Sequence, residues 1–373
     1  MNKHWWIGSV SVLAAVAVSA VFMFSEQEQP QHVQAVSAPV DDRPWEEPAV
    51  VKPVKAVLGY YTVYHPKDVK SKESLAAYGS YLNQMSTQTF TVTETGEVAG
   101  DAPSDSLQIA KDQQIGTYAT ITNQKNNDFN KDLAHLILSD EQVRQRAVAQ
   151  SLQLVREGGF AGVNVDFENM RPTDRDLYTQ FVRELGAALR PHGYRVIVST
   201  AAKTSDSPKS SWIGAFDYRA LGEAADQVQL MTYDEHGPWG EPGPTASLPW
   251  VKNVLTYATS QIPAEKILLG LPAYGNDWNL TAGKGHKAVA WKNLPTLLKQ
   301  TGAAPQWDEK SQTPYLPYTA ADGTQHVVWY EDARSIAIKA RLVEGFGLAG
   351  VAMWRMGLEN EEFWQAVEKG LGV

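Results

Sequence analysis

In the stretch GVNVDFENM, residues 162–170, three polar residues fall two apart: Asn164, Asp166 and Glu168. On an extended strand this spacing puts them on one face and leaves Val163, Val165 and Phe167 on the other. If that face is interior, burying two carboxyls there costs about several kcal/mol unless they are paired or used. Repulsion between them lifts one pKa and leaves the other ionised, the division of labour that acid catalysis requires. Other chemistries lack their residues. The chain has no cysteine, which removes thiolate nucleophiles, disulfides and Cys-ligated zinc. Its histidines show no H-E-x-x-H spacing, and neither G-x-x-x-x-G-K-[ST] nor G-x-S-x-G occurs. No metal and no cofactor are expected.

Short β-branched or aromatic runs that could place these groups recur from Lys55 onward, most of them followed by a helical pattern. They are AVLGYYT from Ala56, TQTFTVT from Thr87, IGTYATI from Ile115, GVNVDFE from Gly162, YRVIVST from Tyr194, QVQLMTYD from Gln227, KILLGLPAY from Lys266 and LAGVAMW from Leu348. Eight such units predict an α/β fold, a closed (β/α)8 TIM barrel with its chemistry at the C-terminal strand ends. Ser139 and Thr173 are the expected caps of two intervening helices, Gly158-Gly159 ends the first of these, and Asp332 opens the helix before the last strand. The Gly-, Pro- and aromatic-rich stretch 275–331 predicts a modest rim insertion in the seventh β/α unit. The barrel is thus expected over 55–373.

The strand ends resemble the signature of glycoside hydrolase family 18, D-G-x-D-x-D-x-E, at Ala161, Gly162, Asn164, Asp166 and Glu168. The resemblance spans roughly 56–370 and implies Glu168 as general acid. It implies Asp166 as the group that orients the substrate's 2-acetamido, which is itself the nucleophile and closes an oxazolinium intermediate. QLMTYDEH is similar to the family's sixth-strand element and implies that Tyr233 and Asp234 grip the acetamido and neighbouring hydroxyls. LGLPAYG, with Tyr274, matches the seventh-strand pattern. Trp354 stands where the family has a Trp floor under the sugar, and Tyr60 and Tyr61 fit an aromatic wall. Glu235 and His236 belong either to the site rim or to a solvated loop; Trp239 and Trp278 either stack on sugars or pack under the insertion.

Two positions depart from the signature. Ala161 replaces its first Asp, and Asn164 replaces the middle Asp that normally shares a proton with the next one. Asp166 therefore has less reason to be protonated, although Asn164 can still donate a hydrogen bond to it. The site is expected to work with different tuning.

The remaining motifs resemble the bacterial branch of spore-cortex-lytic N-acetylglucosaminidases, without LysM repeats. The implied partner is peptidoglycan, with a chitin-type N-acetylated glycan as the rival substrate. A lectin-like barrel without turnover is the rival from another functional class, and retention of Glu168 weighs against it. A net charge of −9 repels phosphate backbones, so nucleic acid is not an expected partner. Nothing predicts an obligate protein partner, and a monomer is expected. The uncharged run from Trp5 to Phe24, after Lys3, predicts a transmembrane anchor or a signal segment over 1–24 that sends the rest of the chain outward. Residues 25–54, rich in Pro, Gln and Glu, read as a linker holding the barrel outside the membrane, near a wall or spore envelope.

Overall fold

The computed structural model describes residues 54–373. The expected membrane or signal segment, and the linker up to residue 53, lie outside the described residues. Eight parallel strands form the centre: β1 (Ala56–Thr62), β2 (Gln84–Val92), β3 (Gly116–Thr122), β4 (Gly162–Asp166), β5 (Arg195–Ala201), β6 (Gln227–Met231), β7 (Ile267–Pro272) and β8 (Gly350–Trp354). Each pairs with the next, and β8 pairs back onto β1, so the sheet closes into the (β/α)8 barrel that the sequence predicts. Both faces of such strands are covered, which is why they read as nearly continuous apolar runs.

Alternation divides the side chains between two cores. Outward-facing Val163, Val165 and Phe167 join the large layer between barrel and helices, where Phe167 packs on Tyr178 and Phe181 at ring-centroid distances of 6.1 and 5.5 Å. Inward-facing Leu58, Tyr118, Ile197, Leu268 and Ala352 fill the barrel itself. Above them lies a polar layer in which Ser86 Oγ meets Thr120 Oγ1 at 2.7 Å and Tyr60 Oη meets Ser199 Oγ at 2.7 Å.

Two helix caps differ from expectation. Ser139 ends the helix Lys131–Ser139, and it is Asp140 that caps Glu141–Gly158 by accepting from the amides of Gln142 and Val143. Asp takes the cap because its carboxylate is the better acceptor for the exposed amides at a positive helix terminus. Thr173 sits within a 3-10 turn, Pro172–Asp174, ahead of the helix Arg175–Leu189. Gly159 ends its helix in the left-handed region at φ 67°, and Asp332 forms a capping box with Ser335.

Between β7 and β8 the chain builds a five-stranded antiparallel sheet from Tyr274–Asn279, Lys287–Ala290, Gln306–Asp308, Thr313–Thr319 and Gln325–Trp329. It has its own small core around Leu316, Val328 and Tyr330. Among the described residues no helix is long and apolar enough to cross a membrane.

Candidate active site

The carboxyl pair sits where β4 stops. Asp166 is its last residue and is buried; Glu168, two residues on, is half-buried and lines a cavity of about 680 Å³. The turn that carries Glu168 is clasped by Asn123 from the end of β3. Asn123 Nδ2 donates to the Glu168 carbonyl and the Glu168 amide donates to Asn123 Oδ1, both at 2.9 Å. The backbone is thereby fixed while the carboxyl itself makes no hydrogen bond among the described residues.

Asn164 does not support Asp166 as the sequence suggested. Its amide donates to Tyr60 Oη at 2.8 Å and Ser86 Oγ at 3.1 Å, and its oxygen accepts from Ser199 Oγ at 3.1 Å. Residues two apart on a strand stand about 6.6 Å apart, so Asn164 serves the layer below. Asp166 is held instead by Gln88, whose Nε2 donates to Oδ2 at 2.9 Å. The β2–β3 register slips between Thr87 and Phe90, and Gln88 sits in that slip, where a bulge re-aims a side chain. The other Asp166 oxygen, Oδ1, is buried and has no partner among the described residues.

Burial dominates the electrostatics. It pushes Asp166 up to about 7 against the opposing pull of the Gln88 hydrogen bond. Glu168 is raised well above the ordinary glutamate range, first by burial and then by the negative charges of Asp166 and Asp234. Both carboxyls therefore hold protons near neutrality more readily than exposed ones. The expectation that Asp166 has little reason to be protonated is corrected here: desolvation supplies what the absent middle carboxylate does not.

The loop after β6 completes the cleft. Asp234 occupies the left-handed region at φ 62°, a strained setting for a non-glycine residue, and its Oδ1 accepts from Tyr274 Oη at 2.6 Å. Burial raises its pKa while the Tyr274 bond lowers it. Tyr233 is buried beside it, its ring 6.4 Å from that of Tyr274. Gly270 on β7 leaves room for this ring, because a Cβ there would lie 2.3 Å from the Leu230 carbonyl and 2.9 Å from Tyr233 Cε1. Glu235 lines the cavity and accepts from the Ser247 amide at 2.6 Å and Ser247 Oγ at 2.9 Å, pinning the loop to the helix Leu248–Gln261. His236 Nδ1 lies 3.3 Å from the Glu241 carbonyl within the same loop.

The aromatic residues sort differently from the sequence reading. Trp354 is half-buried at the end of β8, its ring 5.4 Å from Tyr60. Tyr60 points into the barrel, whereas Tyr61 points out, where its hydroxyl accepts from Ser106 Oγ at 2.8 Å in the helix layer. Tyr61 is thus no wall of this cleft, since neighbours on a strand face opposite sides. Trp239 is 74% exposed and lines the cavity. Trp278 is fully buried and donates from Nε1 to the Gly240 carbonyl at 3.0 Å, which makes it an anchor for the loop and not a stacking surface. Trp278→Ala is expected to cost about 3–5 kcal/mol, read as a lowered midpoint of thermal unfolding. An unchanged midpoint would contradict that anchoring role.

The sequence reading missed Gln88, Asn123, Trp212 and Trp250. The last two line the cavity with Met231, Ala201 and Ala202, and Trp212 is 55% exposed. Among the described residues no group of three His, Asp or Glu is placed to hold a metal ion. A cleft with exposed indoles beside protonatable carboxyls suits an apolar-faced, hydroxyl-rich ligand such as a sugar chain, with acid chemistry at Glu168.

Residues 56–359 match the family described as glycosyl hydrolases family 18. The chain is 34% identical over 370 residues to the uncharacterized glycosylase YvbX of Bacillus subtilis (strain 168), covering 99% of each. Its fold is similar to that of a chitinase from Chromobacterium violaceum ATCC 12472, with a TM-score of 0.81 and 34% identity over 86% of this chain and 100% of the other. It is also similar to the Bacillus cereus spore cortex-lytic enzyme SleL, with a TM-score of 0.80 and 30% identity over 86% of this chain and 75% of the other.

Proposed function

We propose, for a chain that belongs to glycosyl hydrolase family 18 and is therefore a glycosidase, that it cleaves β-linked N-acetylglucosamine in peptidoglycan with retention of configuration. The observation that carries this reading is Glu168, raised by burial and by two neighbouring carboxylates and placed on the cleft wall with no hydrogen bond among the described residues to tie it.

Glu168 gives its proton to the glycosidic oxygen as the bond to the anomeric carbon breaks. The substrate's 2-acetamido oxygen attacks that carbon from the opposite side, closing an oxazolinium ring while the leaving sugar departs as an alcohol. Asp166 stabilises the positive charge and accepts a hydrogen bond from the acetamido N–H, and Tyr233 positions the acetamido carbonyl. The Glu168 carboxylate then removes a proton from water, which opens the ring at the anomeric carbon and restores the acid. Asp234, set by Tyr274, binds sugar hydroxyls, and Trp354 forms the floor beneath the reacting ring.

Similarity to a cortex-lytic enzyme favours peptidoglycan; similarity to a chitinase favours chitin as the second reading. The sequence of residues 1–54 supports an extracytoplasmic setting, with the barrel acting as a monomer on a tether. Mass spectrometry of the products from purified peptidoglycan and from chitin oligosaccharides separates the substrates. Muropeptides ending in reducing N-acetylglucosamine are the expected result. Cleavage of chitin alone would overturn the peptidoglycan reading.

A further inference from the structure

A second groove of about 570 Å³ adjoins the cleft, and Trp239 lines both. One wall is the loop Pro238–Pro242, tied down by Trp278. The other is the turn joining the inserted strands Tyr274–Asn279 and Lys287–Ala290. Gly283 and Gly285 occupy this turn at φ 62° and 74°. A Cβ at either would meet nothing within 4 Å, so the backbone conformation and not crowding calls for glycine.

The turn is internally fixed. Asn279 Oδ1 accepts from the Ala282 amide at 2.8 Å, and the Asn279 carbonyl accepts from the Gly283 amide at 3.0 Å. The Asn279 amide donates to His286 Nδ1 at 3.1 Å, so the neutral ring carries its proton on Nε2 as a donor.

Its charge runs against that of the molecule. The chain carries −9, yet residues 279–287 contain Lys284, His286 and Lys287 and no acidic residue. Lys284 lines the groove and makes no ion pair among the described residues. Lys287, 69% exposed, follows the lining residue His286 and lies 3.9 Å from buried Asp277 Oδ2, the long limit of an ion pair. Glu241 stands alone as the acidic lining residue.

We infer that this groove binds the carboxylates of the short peptide that a peptidoglycan strand carries beside the sugar being cleaved. The inference rests on the peptidoglycan reading above. Continuity through Trp239 brings a side branch of a bound glycan to the turn, and the Lys284 ammonium, with Lys287 beside the groove and an imidazole donor, complements a carboxylate-bearing branch.

The test compares kcat/KM of the full chain on peptidoglycan glycan strands with their peptides intact and on the same strands stripped by an amidase. Wild type is expected to prefer the intact strands. The double variant Lys284→Glu with Lys287→Glu is expected to lose about tenfold on intact strands, the scale of two exposed ion pairs turned repulsive. Turnover of stripped strands should stay unchanged, which also shows that the variant is folded. Equal loss on both substrates, or no loss on either, would overturn the inference and leave the groove as a glycan surface or as bare surface. Failure of wild type on both kinds of strand, with turnover of chitin oligosaccharides, would reject the underlying peptidoglycan reading and the inference with it.

Discussion

Glu168→Gln is expected to lower kcat by about 10³-fold while leaving glycan binding and folding intact. The substitution keeps shape and removes only the transferable proton. Among the described residues the Glu168 carboxyl makes no hydrogen bond that Gln would forfeit, and the clasp by Asn123 runs through the backbone of residue 168. Stability should therefore hold or rise, because an ionisable group whose charged form is disfavoured by burial has been replaced by a neutral one. Kinetics beside thermal unfolding decide the matter. Turnover within tenfold of wild type would remove Glu168 from the mechanism, and loss of activity accompanied by loss of fold would leave its chemical role unsupported.

Asp166→Asn is expected to cost about 10²–10³-fold in kcat, the usual scale for removing one preorganised group that meets charge in the transition state. Its effect on stability has the opposite sign. The folded Asp166 has its pKa pushed up to about 7 by burial, from an ordinary value of 3.8. Between those values the native state keeps a proton that the unfolded chain has released, so wild-type stability falls as pH rises through this window. The penalty is complete above about pH 7 and absent below about pH 4. Asn carries no such penalty, and its amide oxygen can take the Gln88 bond. The variant should therefore match wild type near pH 4 and exceed it by an amount on the order of a few kcal/mol near pH 8. Unfolding midpoints at the two pH values measure this directly. A variant less stable than wild type at pH 8 would contradict the burial account.

These predictions bear on residues that were legible in the chain. The alternation of Asn164, Asp166 and Glu168 and the Tyr233-Asp234 pair are local patterns, and the closed barrel then brings them to one mouth. Apolar runs located the strands because both faces are buried, although β4 stops at Asp166, before Glu168, and β6 stops at Met231, before Tyr233 and Asp234. What stayed hidden depends on long-range geometry. Gln88 reaches Asp166 from 78 residues away through a register slip that no local pattern announces. Asn123 acts by bonding another residue's backbone, and Trp212 and Trp250 enter the cleft from loop and helix positions without strand periodicity. Tyr61 was open to correction from sequence, since the alternation that groups Asn164 with Asp166 separates Tyr60 from Tyr61. Trp278 was not, because an aromatic residue in an insertion is equally suited to packing and to stacking until its burial is known.

The central claim is that the substrate's own acetamido group attacks the anomeric carbon under acid assistance from Glu168. Proton NMR of the anomer first released from an N-acetylglucosamine oligosaccharide, recorded before mutarotation, tests it most directly. Two inversions at one carbon return the original configuration, so the account predicts the β anomer first, from N-acetylated substrate and not from its de-N-acetylated counterpart. Initial release of the α anomer, or equal turnover of the de-N-acetylated substrate, would contradict it.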